Sequence, residues 1–221
     1  MNEDVLIPKM KRLDGKQRKI RIPVLNFALI ILCTLLIIGS TFININLKHY
    51  ILPEGFFSGG EFSASDYIYT FSIIPQIPVL LFVCSFLGKK LAMTCVCLYL
   101  ILGFSLFPIF ALGGGISYIT QYSFGYILAY FPATLIIGNI LKRKYSFLNI
   151  LISAVVGVLI IHILGIFYMT ILAFIKQEGK EFITGWISAQ SGLKIVYDMV
   201  LSFVGILIGK YFHEFLKFIS D

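Results

Sequence analysis

Two titratable side chains with short stems stand inside apolar runs of this sequence, His162 in "LIIHILGIFYM" and Asp198 in "VYDMV". Ionisable groups within a membrane segment are expensive and by default mark a site. An anionic aspartate there would accept hydrogen bonds from a buried ligand, and with a histidine it would supply an acid and a base. Each residue also has a plainer reading. Lys194 precedes Asp198 by four positions, the spacing of an ordinary ion pair on one water-facing side of a helix. His162 lies near Gly165, where a second helix can approach closely, and a histidine bonded to that helix would serve structure alone. No HExxH, no GxSxG and no second histidine at ligand spacing accompanies it, since His49 and His213 fall near opposite membrane faces. Intramembrane hydrolysis by His162 and Asp198 is therefore a distant alternative, and no residue is assigned a catalytic or metal-binding role.

Other polar groups gather near the outer end of the same helix. In "IPQIPV", residues 74–79, Pro75 and Pro78 flank Gln76 and either start a helix or leave backbone carbonyls and the Gln76 amide unpaired. The stretch "FALGGGISYITQYSFGYILAYFPA", residues 110–133, carries Gly113, Gly114 and Gly115 and then a run of aromatic residues. Non-helical backbone at membrane depth is tolerated only when buried in protein or lining a cavity, so the connection 108–122 that holds these glycines is expected to fold inward as a cap. Gln76, the turn at Gly113 to Gly115, Tyr118, Gln121, Tyr122, Tyr126, Lys194, Tyr197 and Asp198 then share one place beneath the outer surface. Aromatic walls with a few polar groups describe a small-molecule pocket. The sequence shows neither a continuous charged path nor a nucleotide-binding motif, so the chain is expected to capture a solute without energising its movement, and no cofactor is expected.

The elements that must hold this pocket are transmembrane helices. Of 221 residues 58% are hydrophobic and 13% charged, against about a quarter charged in a soluble domain, and the mean hydropathy is +0.93. The net charge of +7 is better read as cytoplasmic loop charge than as a nucleic-acid surface. The four cysteines all sit in apolar runs and read as buried small hydrophobes. A hydrocarbon core of about 30 Å needs about 20 helical residues. Pro23–Ile43 meets that length, and further runs fall at 74–88, 91–107, 123–141, 146–175 and 192–212, which makes six helices in an all-α integral membrane protein. The polar stretch before the first helix is too long for an ordinary signal peptide, and no small-x-small site follows the run, so the helix is read as a retained anchor. The expected organisation is a basic cytoplasmic segment, 1–22, and a six-helix membrane domain, 23–217.

Positive charge settles the expected orientation. Fourteen of the 18 Lys and Arg residues fall before the first helix, at Lys89 and Lys90, at Lys142, Arg143 and Lys144, or at Lys210 and Lys217. The other side has Lys48, Lys176, Lys180 and Lys194, so both termini are expected in the cytoplasm of a multi-pass plasma-membrane protein. The outer face then owns three connections, 44–73, 108–122 and 176–191.

In order along the chain, "PQIPVLLFVCSFLG", "LGFSLFPIFALGGGISYITQYSFGYILAYFPA", "HILGIFYM" and "VYDMV" resemble the BioY family, the biotin-specific S components of energy-coupling factor transporters. The similarity covers about residues 74–210, and the glycine-rich cap is its specific part. The resemblance implies a six-helix S-component fold and an outward-facing biotin site closed by the loops after the first and third helices. It implies a membrane coupling subunit and two ABC-type ATPases as partners, and no enzymatic activity; some members are reported to work without those partners. Asp198 aligns with the family aspartate, Gly125 and Tyr126 with its Gly-Tyr pair, and the three glycines would bring backbone amides close to the ligand. The chain departs from the family at Leu201, where a lysine is common, which leaves Lys194 or hydroxyls to meet the carboxylate. It departs again at Tyr122-Ser123-Phe124-Gly125, usually Gly-Pro-Thr-Gly, and at Ala28 and Leu32, where a small-x-x-x-small pair would dock the coupling subunit. A different vitamin on the same scaffold is the near alternative.

Overall fold

The computed structural model describes residues 18–53, 56–59, 63–105, 108–111, 113–142 and 146–220. Residues 1–17 of the basic segment, residues 106 and 107 at the expected end of the third helix, and Arg143 and Lys144 of the positive cluster lie outside them. In hydrocarbon each backbone N–H and C=O must be satisfied within its own segment, and the apolar runs accordingly become helices. They are α1 (Arg18–Thr41), α2 (Gln76–Leu87), α3 (Lys89–Phe104), α4 (Phe124–Leu128), α5 (Tyr130–Leu141), α6 (Phe147–Ile175), α7 (Lys180–Ser191) and α8 (Lys194–Ser220). Among the described residues, four helical stretches are long and apolar enough to cross a bilayer: Val24–Thr41, Phe124–Leu141, Phe147–Ile175 and Lys180–Phe218.

The molecule is built around α2. At 12 residues it is only about 18 Å long, too short for a hydrocarbon core, yet nearly every residue in it is buried. Its most extensive partner is α8, followed by α1 and α5. Two glycines of α8 make that approach possible: a Cβ on Gly209 would stand 2.6 Å from the Phe82 carbonyl oxygen, and one on Gly205 2.9 Å from that of Pro78. Gly88, with φ of 75°, ends α2 and starts α3 in a hairpin without a connecting loop. Cys33, Cys84 and Cys95 are buried in the helix core and Cys97 is half-buried.

Two connections and one helical run differ from the sequence expectation. Residues 44–73 are no structureless loop but hold an antiparallel hairpin, β1 (Ile45–Tyr50) with β2 (Ile68–Ile73), in register Asn46 to Ser72 and His49 to Tyr69. The run 123–141 breaks between α4 and α5 at Ala129, where Pro132 has no N–H to give the Leu128 carbonyl. The third outer connection contains α7, whose Phe182, Ile183, Trp186 and Ile187 are half-buried while Thr184, Gly185, Ser188 and Ala189 face out. Spacing of this kind is an amphipathic helix, and α7 leads directly into α8.

Candidate functional site

Gln76 opens α2 directly after Pro75. Its Nε2 donates to Thr41 Oγ1 of α1 at 3.0 Å and to Tyr99 OH of α3 at 2.7 Å, so one buried amide ties three helices together. Across from it, Gly113 (φ 134°) and Gly115 (φ 82°) adopt backbone that other residues rarely hold. Phe110 and Gly113 exchange backbone hydrogen bonds at 2.9 and 3.0 Å, and the Gly115 N–H reaches the Gly103 carbonyl at 2.7 Å. The cap is thereby folded back onto the end of α3. A single 3-10 turn, Ile116–Thr120, then buries Tyr118, whose hydroxyl lies 2.9 Å from Ser123 Oγ. Gly165 of α6 seats Tyr126, because a Cβ there would come within 2.5 Å of the tyrosine ring. The ring meets His162 edge-on, with centroids 5.7 Å apart.

These contacts frame a buried polar chain. His162 Nε2 lies 3.2 Å from Asp198 Oδ2, His162 Nδ1 lies 2.9 Å from Ser191 Oγ, and that oxygen lies 2.8 Å from the Tyr126 hydroxyl. Four residues on α4, α6, α7 and α8 are linked in series. Asp198 is 4% exposed, and its other oxygen, Oδ1, is buried without a hydrogen-bond partner among the described residues. A buried unsatisfied acceptor costs about 1–3 kcal/mol, more when charged, so the position favours an incoming donor. One turn nearer the start of α8, Lys194 is half-buried and its Nζ donates to Gln190 Oε1 at 3.2 Å.

A cavity of about 100 Å³ opens among these groups. Of the residues singled out from sequence, Gln76, Tyr118, Tyr126, Lys194 and Asp198 line it. Gly113, Gly114 and Gly115 do not themselves form its wall, although their neighbour Ala111 does. Gln121 is exposed and off the wall. Tyr122 turns away to donate to Glu178 Oε1 at 2.7 Å and to pack on Phe182 and Trp186. Tyr197 bonds His49 Nε2 on β1 and packs on Phe71, clasping the hairpin to α8. Sequence reasoning missed Tyr130, Ser123 and Gln190 on the wall and Ser191 behind it. His162, read as structural, is bonded to neighbouring helices as that reading has it, but it lines the cavity as well. The available signal was that a lone histidine and a lone aspartate in apolar runs need each other.

Serine, histidine and aspartate in hydrogen-bonded series is also the arrangement of a hydrolase. Here the serine is unsuited to attack: Ser191 is 2% exposed, is shared with Tyr126, and does not line the cavity. The wall offers acceptors, hydroxyls, rings and one ammonium group, the equipment for holding a small polar molecule.

Known proteins resemble the chain in sequence and in fold. The protein of Lysinibacillus sphaericus named "Probable biotin transporter BioY" is 25% identical over 126 residues, an alignment that covers 54% of this chain and 62% of that relative. This chain thus spans somewhat less than two thirds of the relative's length in the match. The crystal structure of the S component for biotin from an ECF-type ABC transporter superposes with a TM-score of 0.62 at 20% identity, covering 91% of this chain and 95% of that one, and so shares its fold. The sequence profile of the BioY family matches residues 11–218, nearly the whole length, and the chain belongs to the BioY family.

Proposed function

We propose that this protein is the substrate-binding membrane subunit of a biotin uptake system and not an enzyme. It captures the vitamin from outside in the cavity between α2, α4, α6 and α8 and hands it to an ATP-driven module, a membrane coupling subunit with two ABC-type ATPases. The observation that carries the reading is Asp198: a buried carboxylate on the cavity wall whose Oδ1 lacks a partner, in a chain of this family. Biotin brings two ureido N–H donors to such an acceptor, an apolar thioether ring to the aromatic walls, and a carboxylate to Lys194 or neighbouring hydroxyls. In this reading residues 23–217 cross the plasma membrane six times, with α2 and α3 completing the set and both termini in the cytoplasm. The 14 to 4 division of basic residues supports that orientation.

The test is isothermal titration of the purified protein with biotin and, separately, with riboflavin, thiamine and pantothenate. One biotin bound per chain without turnover is the expected result. Heat from another vitamin and none from biotin would transfer the scaffold to that vitamin.

A further inference from the structure

Building on the biotin reading, we propose that Gln190 is a specificity-determining residue: its amide and the Lys194 ammonium form one clamp for the carboxylate of the ligand. Neither the sequence pattern nor the family resemblance singles Gln190 out. The ion pair that the spacing of Lys194 and Asp198 allows does not form. Asp198 meets His162 at 3.2 Å, whereas Lys194 Nζ reaches back to Gln190 Oε1 at 3.2 Å. Among the described residues no carboxylate stands within ion-pair distance of the ammonium. The junction between the two helices explains the placement. α7 ends at Ser191 and α8 starts at Lys194, with Gly192 and Leu193 alone between them. The turn is close, since a Cβ on Gly192 would stand 2.5 Å from the Ser188 carbonyl oxygen. Gln190 and Lys194 therefore meet across the junction, both half-buried and both on the cavity wall.

The chemistry of the pair fixes which atoms are left over. An ammonium group only donates, so the atom of Gln190 turned toward it is the amide oxygen. Nε2 then keeps both hydrogens and makes no hydrogen bond among the described residues, and Nζ keeps two of its three. A cation that faces only a neutral amide lacks a counter-charge, and charge-assisted hydrogen bonds to a carboxylate supply one. The two oxygens of that carboxylate are acceptors for Nε2–H and Nζ–H. Asp198 stands one turn, about 6 Å, further along α8 and presents the opposite character, an acceptor without a donor among the described residues. Donors at one level of the cavity and an acceptor at the next suit a ligand with an anion at one end and N–H groups at the other.

An amide that merely braced the α7–α8 junction would affect charged and neutral ligands alike, so the clamp is read as a ratio. Titration calorimetry compares biotin with biotinol, in which a hydroxymethyl group replaces the carboxylate. The wild type is expected to bind biotin about 10-fold or more tightly than biotinol, the worth of one hydrogen bond to a charged group. Gln190→Glu keeps the shape of the side chain but sets a carboxylate beside Lys194, which neutralises the ammonium and repels the ligand's anion; biotin is expected to lose its advantage. Lys194→Met keeps the stem without the charge and is expected to lose that advantage as well. Gln190→Ala keeps the ammonium and is expected to reduce the preference about 3-fold or more, as loss of one hydrogen bond does. Biotinol binding shows that a variant is folded, and any of the three that binds it supplies the ratio. Equal affinity of the wild type for the two ligands, or a preference in the variants as large as the wild type's, overturns the clamp and leaves the biotin assignment standing. A wild type that binds neither ligand defeats that assignment, and the clamp with it.

Discussion

In the proposed function Asp198 is the residue on which recognition turns, because it combines burial, a hydrogen bond with His162 and an oxygen left over. Asp198→Ala is expected to weaken biotin binding by at least about 1.5–3 kcal/mol, the worth of a hydrogen bond to a charged group. Titration calorimetry reads the loss, and an unchanged affinity would return Asp198 to a purely structural role. Tyr122 makes the opposite case. It belongs to an outer cluster with Glu178, Phe182 and Trp186 and stands off the cavity wall, so Tyr122→Phe is expected to leave biotin affinity within about twofold, as substitutions away from a binding contact do. A tenfold loss in the same assay would put Tyr122 in contact with ligand. Gln76 and Asp198 were legible in the sequence as polar groups near a cavity because polar groups in apolar runs need a reason, whereas His162 reads there as structural. Ser191 and Tyr130 were not. Nothing local distinguishes a serine at the end of α7 from any other, and its bond to His162 spans 29 positions.

At the scale of elements, apolar run length found the helices, and the misses were amphipathic pieces. The hairpin strand "IYTFSI" alternates β-branched and aromatic residues with a period of two, and its Phe71 and Ile73 are the buried face. That signal was present but overshadowed by the polar residues around it. α7 shows the 3.6-residue period over only three turns and without a strong apolar face. The glycines of α8 carried no such signal, since the approach of α2 is decided by both helices at once. Gly209→Ala is expected to destabilise the protein by about 1–3 kcal/mol, the range for overpacking, because the new Cβ meets backbone and not a yielding side chain. Gly39→Ala on α1 meets nothing within 4 Å and is expected to leave stability unchanged or slightly raised. Thermal unfolding of the two variants in detergent compares them directly, and an unfolding midpoint for Gly209→Ala equal to that of Gly39→Ala would remove the close packing of α2 on α8.

For the whole molecule, orientation and architecture come from separate physics, which makes their agreement testable. The fold is governed by burial: α2, the shortest of the helices read as spans apart from the broken α4–α5 pair, is also the most enclosed, while α1 and α6 present rows of Leu, Ile and Phe outward as a lipid-facing surface requires. Orientation is governed by the cost of carrying Lys and Arg across the membrane, and in the proposed orientation Lys90 lies opposite the hairpin and α7. In a background with the four native cysteines replaced, Ala64→Cys on the hairpin and Ser188→Cys on the exposed face of α7 should react with a membrane-impermeant maleimide on intact cells. Lys90→Cys and Glu214→Cys should react only after permeabilisation. If Lys90→Cys labelled from outside while Ser188→Cys did not, the cavity would face inward, and a protein built to capture biotin from the medium would have its site on the wrong side. The four positions together therefore test whether a pocket formed by packing lies on the side of the membrane that charge assigns to it.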